Sequence, residues 1–85
     1  MDAWIDRLAE TLGEEPLTVE ETDRLLRASR DVAHRVERKT TPLAAFLLGS
    51  AAGRAAAGGA SRTDALAGAL ETVSSLLPPA TEPPS

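Results

Sequence analysis

The segment around Asp31 contains the residues of this chain that most resemble a set of metal ligands. Asp31, His34 and Glu37 follow one another at intervals of three residues, and side chains three residues apart share a helix face. An Asp-x-x-His or His-x-x-Glu pair could supply metal ligands, or a carboxylate that orients an imidazole. A dinuclear site would need further carboxylates on facing helices, and the later segments contain few acids. We therefore predict no metal and no cofactor, and keep a metal- or nucleotide-binding site at Asp31, His34, Glu37 and Arg38 as a less favoured alternative.

Residues for covalent or phosphate chemistry are not found in a recognisable pattern. His34 is the single histidine and could act as a general base, but no Ser, Cys or Lys stands in a nucleophile context with it. The Gly49–Gly53 segment, GSAAG, is not followed by the Lys-Ser/Thr pair of a phosphate-binding loop, and it falls inside a predicted helix. We predict that the protein is not an enzyme and that it has no catalytic residues.

A basic face is the stronger candidate for recognition. Arg27, Arg30, His34 and Arg38 recur at helical spacing, and guanidinium groups can bind carboxylates or phosphates in a forked geometry. We predict that this basic face contacts an acidic partner surface or a nucleotide phosphate. The simpler interpretation is a solvated helix face stabilised by ion pairs between residues four apart, namely Glu20–Arg24, Asp23–Arg27, Arg27–Asp31 and Asp31–Arg35.

A strip of small residues is the second candidate surface. Ala45, Gly49, Gly53 and Ala57 recur every four residues, and glycine inside a helix costs up to about 1 kcal/mol relative to alanine. Two glycines at this spacing indicate that another backbone comes close. We expect close packing against the second or fourth helix in preference to a dimer interface. Small residues at this spacing indicate association between helices more strongly in a membrane than in water.

Size and charge narrow the class of protein. Eighty-five residues make one domain, and the absence of cysteine leaves a small core without disulfides. The net charge of −4 argues against binding nucleic acid or an anionic membrane. The acidic N-terminus does not resemble a signal peptide, and the uncharged stretch at 40–53 is too short to span a membrane. These features indicate a cytoplasmic protein, and the excess of Arg over Lys together with abundant Ala suggests a GC-rich bacterial genome.

The positions of caps and breakers predict an all-α, four-helix bundle with helices near 2–12, 19–39, 42–57 and 62–77. Asp2, Thr18, Thr41 and Ser61 are the expected N-caps, with a capping box from Thr18 to Glu21. Residues 1–77 form the single domain, and the Pro-rich residues 78–85 form a disordered tail. Short loops make neighbouring helices antiparallel.

The third helix carries apolar residues nearly all round, and such helices are usually buried. We therefore expect it to be the most central helix, and we expect Trp4 to cover one edge of the core. A core without disulfides also favours a homodimer that buries parts of helices three and four. The predicted core consists of Ile5, Leu8, Leu25, Val32, Val36, Leu43, Phe46, Leu47, Leu66, Leu70 and Val73.

The run DVAHRVER at 31–38, followed by PLAAFLLG at 42–49, resembles a small actinobacterial domain of unknown function. That domain is associated with, and sometimes fused behind, a molybdenum cofactor guanylyltransferase-like nucleotidyltransferase. The resemblance includes Trp4-Ile5 and the helix with Leu8 and Leu12, and it extends to about Leu77. Thr41 departs from it, since a small or apolar residue is expected there. The positions that match the pattern are His34, Glu37, Arg38, Pro42, Phe46 and Gly49.

This resemblance implies a cytoplasmic accessory to molybdopterin nucleotide chemistry, with the guanylyltransferase-like enzyme as its protein partner. The nucleotidyltransferase's Gly-rich, Lys-containing loop is absent, so the resemblance does not imply that catalysis here. The sequence therefore predicts a non-catalytic accessory or protein-interaction domain. The competing hypothesis is a free-standing structural or regulatory homodimer with no link to the cofactor.

Overall fold

The computed structural model describes residues 3–79, and over this range the predicted all-α fold of four helices is confirmed. The helices are α1 (Ala3–Thr11), α2 (Val19–Arg35), α3 (Thr41–Ala57) and α4 (Arg62–Leu76). A short 3-10 helix, Arg38–Thr40, precedes α3. Within residues 3–79 there is no β-strand. The predicted cap at Asp2 and most of the predicted disordered tail lie outside the described residues.

Two of the predicted N-caps are confirmed in detail. The Thr18 hydroxyl accepts a hydrogen bond from the backbone N–H of Glu21 at 3.0 Å, and the Glu21 carboxylate accepts one from the Thr18 N–H at 2.9 Å. This reciprocal arrangement is the capping box. Ser61 caps α4 in the same manner by accepting a hydrogen bond from the Asp64 N–H at 3.1 Å.

Glycines end α1 and α3 with the same backbone motif. Gly13 has a φ of +75° and Gly59 a φ of +113°, values that the absence of Cβ makes accessible. Beyond each glycine the chain closes a six-residue hydrogen bond, from Glu14 N to Ala9 O at 2.8 Å and from Ala60 N to Ala55 O at 3.1 Å. This is the Schellman motif, and it satisfies carbonyl groups that a helix end leaves open.

The prediction that the second helix continues to Lys39 is wrong, because α2 ends at Arg35. Glu37 adopts an extended conformation, and it accepts hydrogen bonds from both the N–H (3.1 Å) and the hydroxyl (3.4 Å) of Thr40. Such local bonds compete with continuation of a helix. The N-cap of α3 is therefore Thr40 instead of Thr41, and neither threonine side chain makes the expected capping bond.

Helix α3 packs against both α2 and α4, which run parallel to each other and also touch. Both ends of that pair are joined by arginines. At one end Arg62 in the first turn of α4 contacts Glu21 near the start of α2, and at the other end Arg35 donates a hydrogen bond to the carbonyl of Pro78 at 2.9 Å. In contrast, no Cα of α1 lies within 8 Å of a Cα in another helix. The described bundle is therefore a packed three-helix unit with α1 standing apart.

The hydrophobic core is smaller than predicted. Four apolar side chains are buried, of which Val32 and Leu66 were predicted and Leu48 and Ala65 were not. Four other predicted core residues are half-buried, namely Ile5, Leu25, Leu70 and Val73. The predicted positions Leu8, Val36, Leu43, Phe46 and Leu47 are exposed instead, as is Trp4, so these predictions are wrong. Leu43, Phe46 and Leu47 are exposed because α3 has neighbours on one side only. Trp4 and Leu8 are exposed because α1 stands apart from the bundle, and Val36 lies beyond the end of α2. The buried apolar residues are Val32, Leu48, Ala65 and Leu66.

Candidate functional site

An apolar groove of about 510 Å³ separates α1 from the other three helices. Helix α3 forms its floor, and α2 and α4 contribute Leu25 and Leu66 beside that floor. The facing wall comes from α1, whose apolar stripe turns toward the groove. The groove exists because the side chains of α1 approach the bundle while its backbone stays more than 8 Å away. The residues that α1 contributes are Ile5, Leu8, Ala9 and Leu12.

The small-residue strip lies along the floor of this groove. Ala45, Gly49 and Gly53 line it, whereas Ala57 does not. A Cβ built on Gly49 or Gly53 would meet no atom within 4 Å. The expected close packing of this strip against α2 or α4 is therefore not found. The two glycines therefore face the open space of the groove.

A part-buried ion pair fixes one end of the groove. Arg62 Nε donates a hydrogen bond to Glu21 Oε2 at 3.0 Å, and Arg62 Nη1 donates one to the carbonyl of Glu15 at 2.8 Å. The Glu21 side chain is only 10% exposed and also serves the capping box. Through Arg62, the loop after α1 is held to the first turns of both α2 and α4. The groove therefore has one rigid end.

That end of the groove is also acidic. Glu14 and Glu15 line it and are exposed, whereas the charge of Arg62 is matched by Glu21. The remaining charge at the groove is negative, while the rest of the lining is apolar. This combination fits a ligand that is apolar along its length and positively charged at one end.

The role of Arg62 was not predicted, although the sequence contains a signal for it. A positive charge in the first turn of a helix opposes the helix dipole and is unfavourable there. Arg62 occupies that first turn in α4. Its unfavourable position indicates a carboxylate partner elsewhere in the fold, but the sequence alone does not say that this partner is Glu21, 41 residues away.

The basic face lies on a different side of the molecule from the groove. Arg27, Arg30 and His34 are exposed on the side of α2 opposite Val32. Arg38 follows the end of α2 and leaves this helical register. In the part of the chain that the structure describes, the ion pairs within 4 Å are Arg62–Glu21 and Lys39–Glu37. The four ion pairs expected along α2 are therefore not formed, and the cationic side chains of the basic face are exposed to solvent.

The Asp31, His34 and Glu37 cluster does not form as the spacing predicted. Because α2 ends at Arg35, Glu37 lies outside the helix, where its carboxylate contacts Lys39 Nζ at 3.7 Å and the Thr40 hydroxyl at 3.4 Å. Among residues 3–79, no group of three His, Cys, Asp or Glu side chains is arranged to hold a metal ion. Over the same range, no helix combines the length and apolarity that a membrane span requires.

Comparison with known proteins identifies the family of this chain. The domain of unknown function DUF6457 matches residues 1–83, which is nearly the whole sequence. The chain therefore belongs to the DUF6457 family. No curated protein and no solved structure matches it.

Proposed function

We propose that this DUF6457 protein is a non-catalytic protein-interaction domain that binds a helix of a partner protein in the groove between α1 and α3. The observation that carries the proposal is the open space in front of Gly49 and Gly53. Glycine destabilises a helix interior by up to about 1 kcal/mol, and no close contact within the described residues accounts for the two glycines. A partner backbone that approaches the strip would account for both.

The dimensions of the groove favour a helix as the occupant. Its floor runs from Ala45 to Ala56 on α3, which at 1.5 Å per residue is about 17 Å, or three helical turns. A helix satisfies its own backbone hydrogen bonds, so it can enter an apolar groove without leaving polar groups unpaired. Once bound, it would lie along α3 with α1 displaced outward, because a three-turn helix about 10 Å wide occupies more than the 510 Å³ of the groove.

The charged and apolar residues that line the groove indicate which residues the partner helix should carry. Its apolar face meets Leu8 and Leu12 on one side and the small-residue strip on the other. Its positively charged end lies beside Glu14 and Glu15, where Lys or Arg would face two exposed carboxylates. The expected occupant is thus an amphipathic helix of about three turns with a basic residue at one end.

For the identity of the partner, we propose the molybdenum cofactor guanylyltransferase-like enzyme, in the cytoplasm. The support is the resemblance of segments 31–38 and 42–49 to the domain associated with that enzyme. The basic face offers a second, separate contact, because Arg27 and Arg30 are exposed and have no ion-pair partner within 4 Å among the described residues. This second contact could bind an acidic patch or a bound nucleotide phosphate.

The test is a calorimetric titration of the full chain with the purified guanylyltransferase-like enzyme from the same genome. Gly53→Leu places a side chain in the groove and should weaken binding at least tenfold. Gly68→Leu is the matched control, because Gly68 is also an exposed helical glycine with open space around it but does not line the groove. The double variant Arg27→Glu, Arg30→Glu tests the basic face independently.

Each outcome of the titration separates one part of the proposal from the others. Loss of binding in Gly53→Leu alone supports the groove, whereas loss only in the arginine variant overturns it in favour of the basic face. No binding by the wild-type protein overturns the choice of partner. A designed three-turn amphipathic peptide with one terminal Lys then tests the groove itself, and failure of this peptide to bind would overturn the docking proposal.

A further inference from the structure

The side of α3 that turns away from Leu48 is apolar and uncovered. Leu43, Phe46 and Leu47 are 63%, 74% and 67% exposed, and together they form a ridge one turn long. We call this surface, with Ser50 and Arg54 farther along the same side, the outer face of α3. A helix that is apolar all round is normally enclosed on all sides, yet this helix has neighbours on its inner side only.

The size of this surface exceeds what scattered exposed leucines explain. The three side chains expose on the order of 400 Å² in one contiguous patch, which is comparable to the largest patch of an ordinary monomer.

Covering the outer face on two chains at once would bury roughly 1,000 Å² in total, if the polar rim is included, which is the lower limit for a specific interface. The uncovered area is therefore sufficient for a small dimer.

We infer that the outer face of α3 is a homodimer interface, formed by two α3 helices that pack across a twofold axis near Phe46 and Leu47. We choose a second copy of this chain as the partner because the hydrophobic core is small. With four buried apolar side chains and no cysteine, the isolated domain has few interactions that stabilise its fold. A surface needed for folding must be covered whenever the chain exists, and a second copy is always present at the same concentration.

This interface goes beyond the proposed docking function and leaves it intact. Ala45, Leu48 and Ala52 lie at the centre of the groove side of α3, whereas Leu43, Phe46 and Leu47 form the ridge, so the two surfaces adjoin along Gly49 and Gly53 without sharing a lining residue. The assembled protein therefore presents two grooves. Because a twofold interface brings the same patch of each chain together, each residue of the ridge contacts the ridge of the other chain.

Light scattering and concentration-dependent melting of the full chain test the assembly. We expect a dimer mass at 100 µM and a melting temperature that rises with protein concentration, since association linked to folding has this dependence. Phe46→Glu should abolish the dimer, whereas the control Leu26→Glu should leave it intact, because Leu26 is similarly exposed (63%) but lies on α2. A folded wild-type monomer at 500 µM, or a dimer that survives Phe46→Glu, would overturn the inference.

Cross-linking locates the interface even if Phe46→Glu fails to fold. The chain has no cysteine, so Ser50→Cys introduces a single thiol beside the ridge, and Ser75→Cys places one at an exposed site on α4. A short bismaleimide should link Ser50→Cys chains into covalent dimers at least tenfold faster than Ser75→Cys chains. Equal rates would show that any dimer uses another face and would overturn the assignment.

Discussion

Replacement of the two groove glycines by alanine should stabilise the isolated protein, although these positions look like close-packing sites in the sequence. Neither Gly49 nor Gly53 has a positive φ, and a Cβ at either position meets no atom within 4 Å. The substitution therefore brings the full gain in helix propensity, about 1 kcal/mol per site, with no steric cost. The double variant should gain about 2 kcal/mol, equivalent to a rise in melting temperature of about 8–16 °C for a domain of this size.

Binding should change in the opposite direction. Two methyl groups on the floor of the groove keep a partner helix from approaching the backbone, and a loss of about 1.4 kcal/mol lowers its affinity tenfold. Gly68→Ala is the matched control. It should give the same gain of about 1 kcal/mol per glycine, because Gly68 has the same open surroundings, but it should leave partner binding unchanged.

Urea denaturation of Gly49→Ala, Gly53→Ala, the double variant and Gly68→Ala beside the wild type, followed by far-UV circular dichroism, measures the free energy of unfolding. A loss of stability in Gly49→Ala or Gly53→Ala, with a gain in Gly68→Ala, would refute the reasoning. It would mean that another element, such as α1 across the groove, packs onto the strip in the free protein. The groove would then be closed in solution, and the docking proposal would fail together with this prediction.

Three further substitutions test other parts of the fold by the same denaturation assay. Arg62→Ala should lower the free energy of unfolding by about 2–3 kcal/mol, because it leaves the buried Glu21 carboxylate without its cation. As a control, Arg54→Ala at an exposed position should change it by less than about 0.5 kcal/mol. Thr41→Val should gain about 1 kcal/mol, because the Thr41 hydroxyl is buried with no hydrogen-bond partner in the described part of the chain, and a loss would show that this hydroxyl is bonded. Gly59→Ala should cost about 1–2 kcal/mol, because its φ of +113° is strained for a residue with a Cβ, and an unchanged stability would contradict the Schellman ending of α3.

The helices and most of their caps could be predicted because their signals are local. The Thr18 capping box, the Ser61 cap and the glycine at the end of α1 each depend on residues within one turn. The end of α2 was missed for a related reason. The helical apolar pattern continues through Val36, and the hydrogen bonds between Glu37 and Thr40 that stop the helix leave no mark in that pattern.

The burial of α3 and the shape of the site could not be predicted, because they depend on which helix faces which. Apolar residues on all sides of a helix indicate that all sides are covered, but the sequence does not say whether the cover belongs to the same chain. Leu43, Phe46 and Leu47 were assigned to the core on that assumption, and they are exposed. Likewise, the spacing of Gly49 and Gly53 indicated a close approach, but within the described residues no atom lies within 4 Å of a Cβ at either position.

The separation of α1 from the bundle has an entropic consequence. A helix of nine residues is too short to be stable alone in water, and α1 is joined to the rest by the loop that Arg62 holds at the Glu15 carbonyl. Its amide protons should therefore exchange with solvent much faster than those of α3 and α4. A ligand that binds in the groove would have to order α1, and this ordering costs conformational entropy. Part of the favourable energy of its contacts would offset that cost, so the measured affinity would be weaker than the contacts alone would give. Slower hydrogen exchange in α1 is thus the earliest signal that the groove has been filled.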